Sequence, residues 1–74
     1  MSYSITSRPT SNRYLGNTNY EHIEVHDLQN EDTNCQIDEI ILSNHAVIFK
    51  PDTLSQAYGE EYDNCAYCLG NSSR

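Results

Sequence analysis

The sequence contains little positive charge and no long apolar run. Only 4 of its 74 residues are Lys or Arg, against 11 Asp and Glu, so the formal net charge is −7. No stretch approaches the roughly 20 apolar residues that a membrane-spanning helix needs. The first residues lack the apolar segment of a secretory signal. We therefore expect a cytoplasmic protein that does not bind membranes.

The chain is also short and poor in hydrophobic residues. These make up 36% of the sequence, and the mean hydropathy is −0.73. A chain of this length forms at most one domain, with a small core. Burial of so small a core only narrowly offsets the conformational entropy lost on folding. We expect marginal stability, or stabilisation by a partner, a metal ion or a second copy of the chain.

The charges are distributed unevenly along the chain. Residues 1–19 contain Arg8 and Arg13 and no acid, whereas residues 20–73 contain all 11 acids and Lys50 as their only Lys or Arg. So acidic a surface repels nucleic acid and anionic lipid, and it attracts basic surfaces of other proteins. The alternative interpretation is a solvated face that only keeps the protein soluble.

Composition divides the chain into three parts. Residues 1–19 are rich in Ser, Thr and Asn and have no apolar face, which predicts a flexible tail. Residues 20–70 form a single small acidic domain, and residues 71–74 a flexible C-terminus. Within the domain, Ile23 and Val25 alternate with His22, Glu24 and His26, which predicts a strand over 20–28. The polar residues 29–34 are expected to form a loop.

Residues 36–51 have the pattern of a β-hairpin. Two runs rich in β-branched residues, QIDEIILS and AVIFK, are separated by Asn44 and His45, which would form the turn. This register places Ile41 and Ile48 together on the outer face. The inner face would carry the four core residues Ile40, Leu42, Val47 and Phe49.

A helix is predicted from Thr53 to Leu69. Thr53 followed by Gln56 is typical of a helix N-terminus, and Gly59 is the point at which the helix is weakest. The fold prediction is therefore α+β: an antiparallel sheet of about three strands, packed by one C-terminal helix. The helix would present an apolar stripe of Leu54, Tyr58, Tyr62, Cys65 and Leu69.

One set of residues has the chemistry of a metal site. His22, His26, Cys65 and Cys68 offer two imidazoles and two thiols, a set that suits tetrahedral zinc. Cys35 or His45 could replace one of the four. The alternative is a protein without a cofactor, in which both histidines lie on a solvated strand face and Cys65 packs in the core. A redox role for the cysteine pair is disfavoured at the end of a helix, where the dipole opposes a thiolate.

No pattern indicates catalysis. The chain lacks a glycine-rich phosphate loop and a nucleophile elbow, and it is too short to enclose a pocket. We expect no catalytic residue and no enzyme activity. The charge instead favours an acidic regulator or inhibitor, of the virus-encoded or regulatory type, that docks on a basic protein surface.

The expected partner is a nucleic-acid-binding enzyme, whose basic face the acidic chain would occupy by mimicking a phosphate backbone. The alternative function is a zinc-binding module that mediates protein interaction, and a second copy of the chain is a further candidate partner. The predicted contact residues are Glu39, Ile41, Ile48, Glu60, Glu61, Asp63 and Tyr67.

Overall fold

A mixed five-stranded sheet forms the centre of the computed structural model, which describes residues 1–69. The neighbouring pairs β1·β4, β4·β2 and β2·β3 are antiparallel, while β3 and β5 are parallel. The order across the sheet is β1-β4-β2-β3-β5. The strands are β1 (Ser2–Ser4), β2 (Tyr14–Asn17), β3 (Glu24–Asp27), β4 (Ala46–Phe49) and β5 (Asp63–Asn64).

Two short helices, α1 (Ile37–Leu42) and α2 (Leu54–Gly59), pack on opposite faces of this sheet. Side chains of a strand alternate between the faces, and β4 shows this directly, since Ala46 packs in the α1 cluster and Val47 in the α2 cluster. The α1 cluster also contains Leu15, Ile37, Ile40 and Ile41. The α2 cluster also contains Val25, Phe49 and Ala57.

The predicted three-stranded antiparallel sheet with a C-terminal helix is wrong, although the coarser α+β class is correct. The first half of the predicted hairpin is the helix α1, and only its second half is a strand. Ile37, Ile40 and Ile41 have the spacing that places three side chains on one side of a helix. All three are buried against the sheet, and this packing outweighs the β propensity of isoleucine.

Charge stabilises the start of α1, and a backbone hydrogen bond followed by a left-handed residue marks its end. Asp38 and Glu39 lie in its first turn, where negative charge stabilises the helix dipole. At the other end the Ser43 backbone N–H donates to the carbonyl of Glu39 at 3.0 Å. Asn44 then adopts a left-handed conformation with φ 63°, which Asn tolerates better than most residues. The chain therefore turns and enters β4.

The predicted helix over 53–69 is correct only in its first turns. Thr53 caps α2 as predicted, because its hydroxyl oxygen accepts the Gln56 backbone N–H at 3.1 Å. The helix ends at Gly59, and Glu61, with φ 71°, redirects the chain. Residues 63–64 then join the sheet beside β3. Cys65 consequently follows a strand instead of lying in a last helical turn.

The predicted disorder of the N-terminal segment is also wrong, since residues 1–19 supply β1 and β2. Leu15 is fully buried, although its neighbours are mostly polar. The backbone N–H groups of Arg13 and Tyr14 donate to the Asp52 carboxylate at 2.6 and 3.0 Å. The Arg13 guanidinium donates two hydrogen bonds to Asp27, at 3.0 and 2.9 Å. Polar contacts over long sequence separations therefore anchor a segment that composition alone describes as flexible.

Two further observations complete the fold. No helix among residues 1–69 is long and apolar enough to cross a membrane. The predicted flexible C-terminus, residues 71–74, lies outside the described residues, as does Gly70.

Replacing Gly16 by Ala should destabilise the protein by about 1–3 kcal/mol, the usual cost of overpacking a core. A Cβ atom at this position would lie 2.7 Å from a ring carbon of Phe49 and 2.8 Å from one of Tyr62. These two rings pack edge to face with centroids 5.0 Å apart, so neither can move away easily. Urea unfolding measures the change, with Gly59→Ala as control because a Cβ there meets no atom within 4 Å. Equal stability of Gly16→Ala and the wild type would contradict this packing.

Arg8→Gln should lower the free energy of unfolding at neutral pH by less than about 1 kcal/mol, as expected for an exposed ion pair. The Arg8 guanidinium donates to both carboxylate oxygens of Glu31 at 2.8 Å and to Asp38 at 2.9 Å. The hydrogen bonds from Arg8 hold the pKa of Glu31 below its usual value. The contribution is therefore complete above the unfolded Glu pKa of about 4.3 and is lost as the pH falls through the lowered pKa. Unfolding measured from neutral to acid pH should show the two proteins converging, and a constant difference would refute the linkage.

Candidate metal centre

Three cysteines and one histidine meet on the α1 side of the sheet. The ligand atoms of His26, Cys35, Cys65 and Cys68 all lie within 4.8 Å of one another. These residues come from β3, from the 3-10 turn Thr33–Cys35 that precedes α1, and from the segment that follows β5. We refer to these four residues as the CCCH cluster.

The sheet positions two members of the CCCH cluster. His26 lies opposite Leu15 in the β2–β3 register, and both residues are buried on the α1 side. Beside it, the Cys65 backbone N–H donates to the carbonyl of Val25 at 3.0 Å. The parallel pairing of β5 with β3 therefore carries Cys65 to a position next to the histidine.

Loop contacts position the other two members. The Asp32 side chain accepts the Asn34 backbone N–H at 2.8 Å, and the Cys35 backbone N–H donates to the Asp32 carbonyl at 2.9 Å. These bonds form the tight turn that directs Cys35 inward. The side-chain amide of Asn30 donates to the carbonyl of Cys68 at 2.8 Å, which fixes the segment after β5.

Two separations within the CCCH cluster match the edges of a tetrahedral metal site. The Sγ atoms of Cys35 and Cys65 are 3.5 Å apart, and the Cys68 Sγ lies 3.8 Å from the His26 Nδ1. Zinc binds thiolate sulfur at about 2.3 Å and imidazole nitrogen at about 2.0 Å, which corresponds to edges of about 3.5–3.8 Å in a tetrahedron. All three cysteines are free thiols, so every donor is available to an ion.

Burial controls the protonation of these groups. The four side chains are only 2–4% exposed. Desolvation raises the pKa of Cys35 and of Cys68, so these two thiols are neutral in the absence of a cation. Desolvation also lowers the pKa of His26 to about 4, which keeps its imidazole in the neutral form that binds metals. An ion entering the CCCH cluster would therefore displace thiol protons.

Two features of the CCCH cluster affect how it would hold an ion. The Asp27 backbone N–H donates to the Cys68 Sγ at 3.3 Å, a bond that stabilises a thiolate. The His26 Nε2 is buried and has no hydrogen-bond partner among residues 1–69. Buried polar atoms without a partner are rare in folded proteins. A ligand or water beside His26 would remove this cost.

The structure brings together three of the four metal residues predicted from sequence and replaces the fourth. His22 is exposed and is not a member of the CCCH cluster. Cys35, the residue that the sequence offered as a substitute, occupies the fourth position. His45 lies elsewhere, with its Nδ1 3.1 Å from the Ser43 hydroxyl. Cys35 was difficult to assign from sequence because it lies in a polar loop, 30 positions before Cys65.

The predicted contact residues for a partner differ in their accessibility. Ile41 is 8% exposed and belongs to the α1 cluster, so it cannot form an exposed apolar pair with the half-buried Ile48. The remaining residues are more accessible. Glu39 and Glu61 are exposed, Tyr67 is 60% exposed, Asp63 lies in β5, and Glu60 pairs with the α-amino group of Met1 at 3.0 Å.

No protein-family model matches this chain, and neither the curated proteins nor the solved structures compared with it gave a match. Function is therefore inferred from the CCCH cluster and the surface around it. Four protein donors fill a tetrahedral shell and leave no position for a substrate, which is the arrangement of structural rather than catalytic zinc.

Proposed function

We propose that this chain is a small structural zinc-binding module that acts by binding another protein. The observation that carries the proposal is the convergence of His26, Cys35, Cys65 and Cys68 within 4.8 Å. Three thiolates and one imidazole form one of the ligand sets of structural zinc sites.

A bound ion would stabilise this fold. The segments that contribute ligands are far apart in sequence, with 30 positions between Cys35 and Cys65 and 42 between His26 and Cys68, and the chain is short enough to require additional stabilisation. An ion in the CCCH cluster would join β3, the turn before α1 and the segment after β5. Because a structural zinc site does not exist in the unfolded chain, the free energy of metal binding contributes directly to folding.

The partner that suits this module has a basic surface. Arg8, Arg13 and the N-terminus pair with four of the acids, so the negative charge is partly neutralised within the molecule. Among residues 1–69, Glu39 and Glu61 form no ion pair, and Tyr67 is 60% exposed. Exposed carboxylates attract basic surfaces, and tyrosine is enriched among the residues that dominate binding energy. A nucleic-acid-binding enzyme presents such a surface.

Protein purified without a chelator should contain one zinc ion per chain. Cobalt(II), which substitutes for zinc, should give the absorption bands of tetrahedral thiolate coordination. Cys35→Ser should weaken cobalt binding by more than about tenfold, because even residues outside the ligand shell contribute that much. His22→Ala is the matched control and should leave the equilibrium affinity unchanged.

Metal analysis and equilibrium cobalt titration measure these effects. A wild-type protein that contains no zinc and binds no cobalt would refute the zinc module. A loss of affinity in His22→Ala with none in Cys35→Ser would show that the ligand set is wrong.

Complexes captured by the immobilised zinc-bound protein should dissociate when salt rises from about 0.1 to 1 M, because the Debye length falls from about 10 to 3 Å. The captured protein should be basic and should bind more weakly to a Glu61→Gln, Tyr67→Ala double variant than to the wild type. Glu31→Gln serves as control for the loss of one charge, since Arg8 already neutralises Glu31. Capture that is insensitive both to salt and to the double variant would contradict docking on a basic surface.

A further inference from the structure

A small cavity leads from the protein surface to the CCCH cluster. Its volume is about 170 Å³, and its inner wall contains His26, Cys35 and Cys65. Its outer wall contains His22 and Glu24, two side chains that can themselves bind a metal ion. We refer to this cavity as the vestibule.

His22 also lines a second cavity, of about 260 Å³, next to the vestibule. The two cavities share Asn17, His22, Gln36 and Ile40, and the second adds the imidazole of His45 and the carboxylate of Glu39. Metal-capable side chains therefore line two neighbouring cavities, one of which reaches the buried cysteines. Such a path matters because the four cluster residues are only 2–4% exposed, and an ion cannot reach them directly from solvent.

We propose that the vestibule is the route by which a divalent cation enters and leaves the CCCH cluster, with His22 and Glu24 as its first, transient ligands. This inference rests on the proposed zinc-binding function and adds a path for exchange to it. The buried His26 lines the same cavity, and its Nε2 has no hydrogen-bond partner among residues 1–69.

The exchange is a series of ligand substitutions without oxidation or reduction. A hydrated cation is attracted by the negative charge of the chain and of Glu24 and exchanges water for the His22 imidazole. The ion then exchanges these outer ligands for His26 and the three cysteines, and each thiol releases its proton to solvent as the metal–sulfur bond forms. Release of the ion follows the same steps in reverse.

A residue that acts only on the route changes the rates of binding and release but not the affinity. His22→Ala should therefore slow cobalt uptake and cobalt loss to a chelator by the same factor. The equilibrium affinity should be that of the wild type. Stopped-flow absorption of the thiolate–cobalt band measures uptake and release in the full chain.

Glu24→Gln tests the electrostatic part of the route independently of His22. Cobalt uptake should slow more than in a variant that loses the same charge elsewhere, because negative charge lining a cleft raises the on-rate of cations. The matched control is Glu21→Gln, which removes the same charge from an exposed residue that does not line the vestibule, and its uptake should remain close to that of the wild type.

The outcomes separate this inference from the proposed function. Wild-type protein that binds no cobalt overturns both. Normal binding with unchanged rates in His22→Ala and Glu24→Gln overturns the vestibule route and leaves the zinc module intact. A weaker equilibrium affinity in His22→Ala also overturns the route, because it would make His22 a permanent ligand. Unchanged affinity in a variant also shows that the variant has folded.

Discussion

The convergence of three buried thiols and one buried imidazole is the constraint on which the rest of this structure depends. The three cysteines are among the buried residues of the α1 cluster, in a chain whose hydrophobic content is 36%. The polar donors would be costly in a core that left them without partners. A metal ion bound to these donors would cross-link segments that are distant in sequence, which is how small domains commonly compensate for a small core.

The topology of the chain brings these donors together. A conventional hairpin between residues 36 and 51 would have placed Ile41 on an outer face, whereas α1 buries it above the sheet. The short parallel strand β5 brings Cys65 beside β3, where a C-terminal helix would have carried it elsewhere. Polar contacts also stabilise the sheet, and among residues 1–69 the Arg13–Asp27 ion pair is the most buried of them, since the Asp27 side chain is only 5% exposed.

The sequence predicted those features that depend on local chemistry. It identified β4, the Thr53 cap of α2, and His26, Cys65 and Cys68 as metal-capable. It did not predict α1, because Ile37, Ile40 and Ile41 fit a strand by propensity and a helix by spacing, and only packing decides between them. It missed β2 because Arg13 and Asp52 anchor that strand through partners that no local pattern reveals, and it missed β1 because that strand forms only by pairing with the distant β4. Cys35 was not among the four predicted metal ligands for the same reason, since its turn meets the other donors only when it packs beside β3.

The most direct test of this account is the free energy of unfolding with one equivalent of zinc and after complete removal of the metal. The account predicts a large loss of stability on removal, with partial or complete unfolding of the segments that carry Cys35 and Cys68, and recovery when zinc is restored. Equal stability with and without zinc, in a protein whose three thiols remain free, would contradict it.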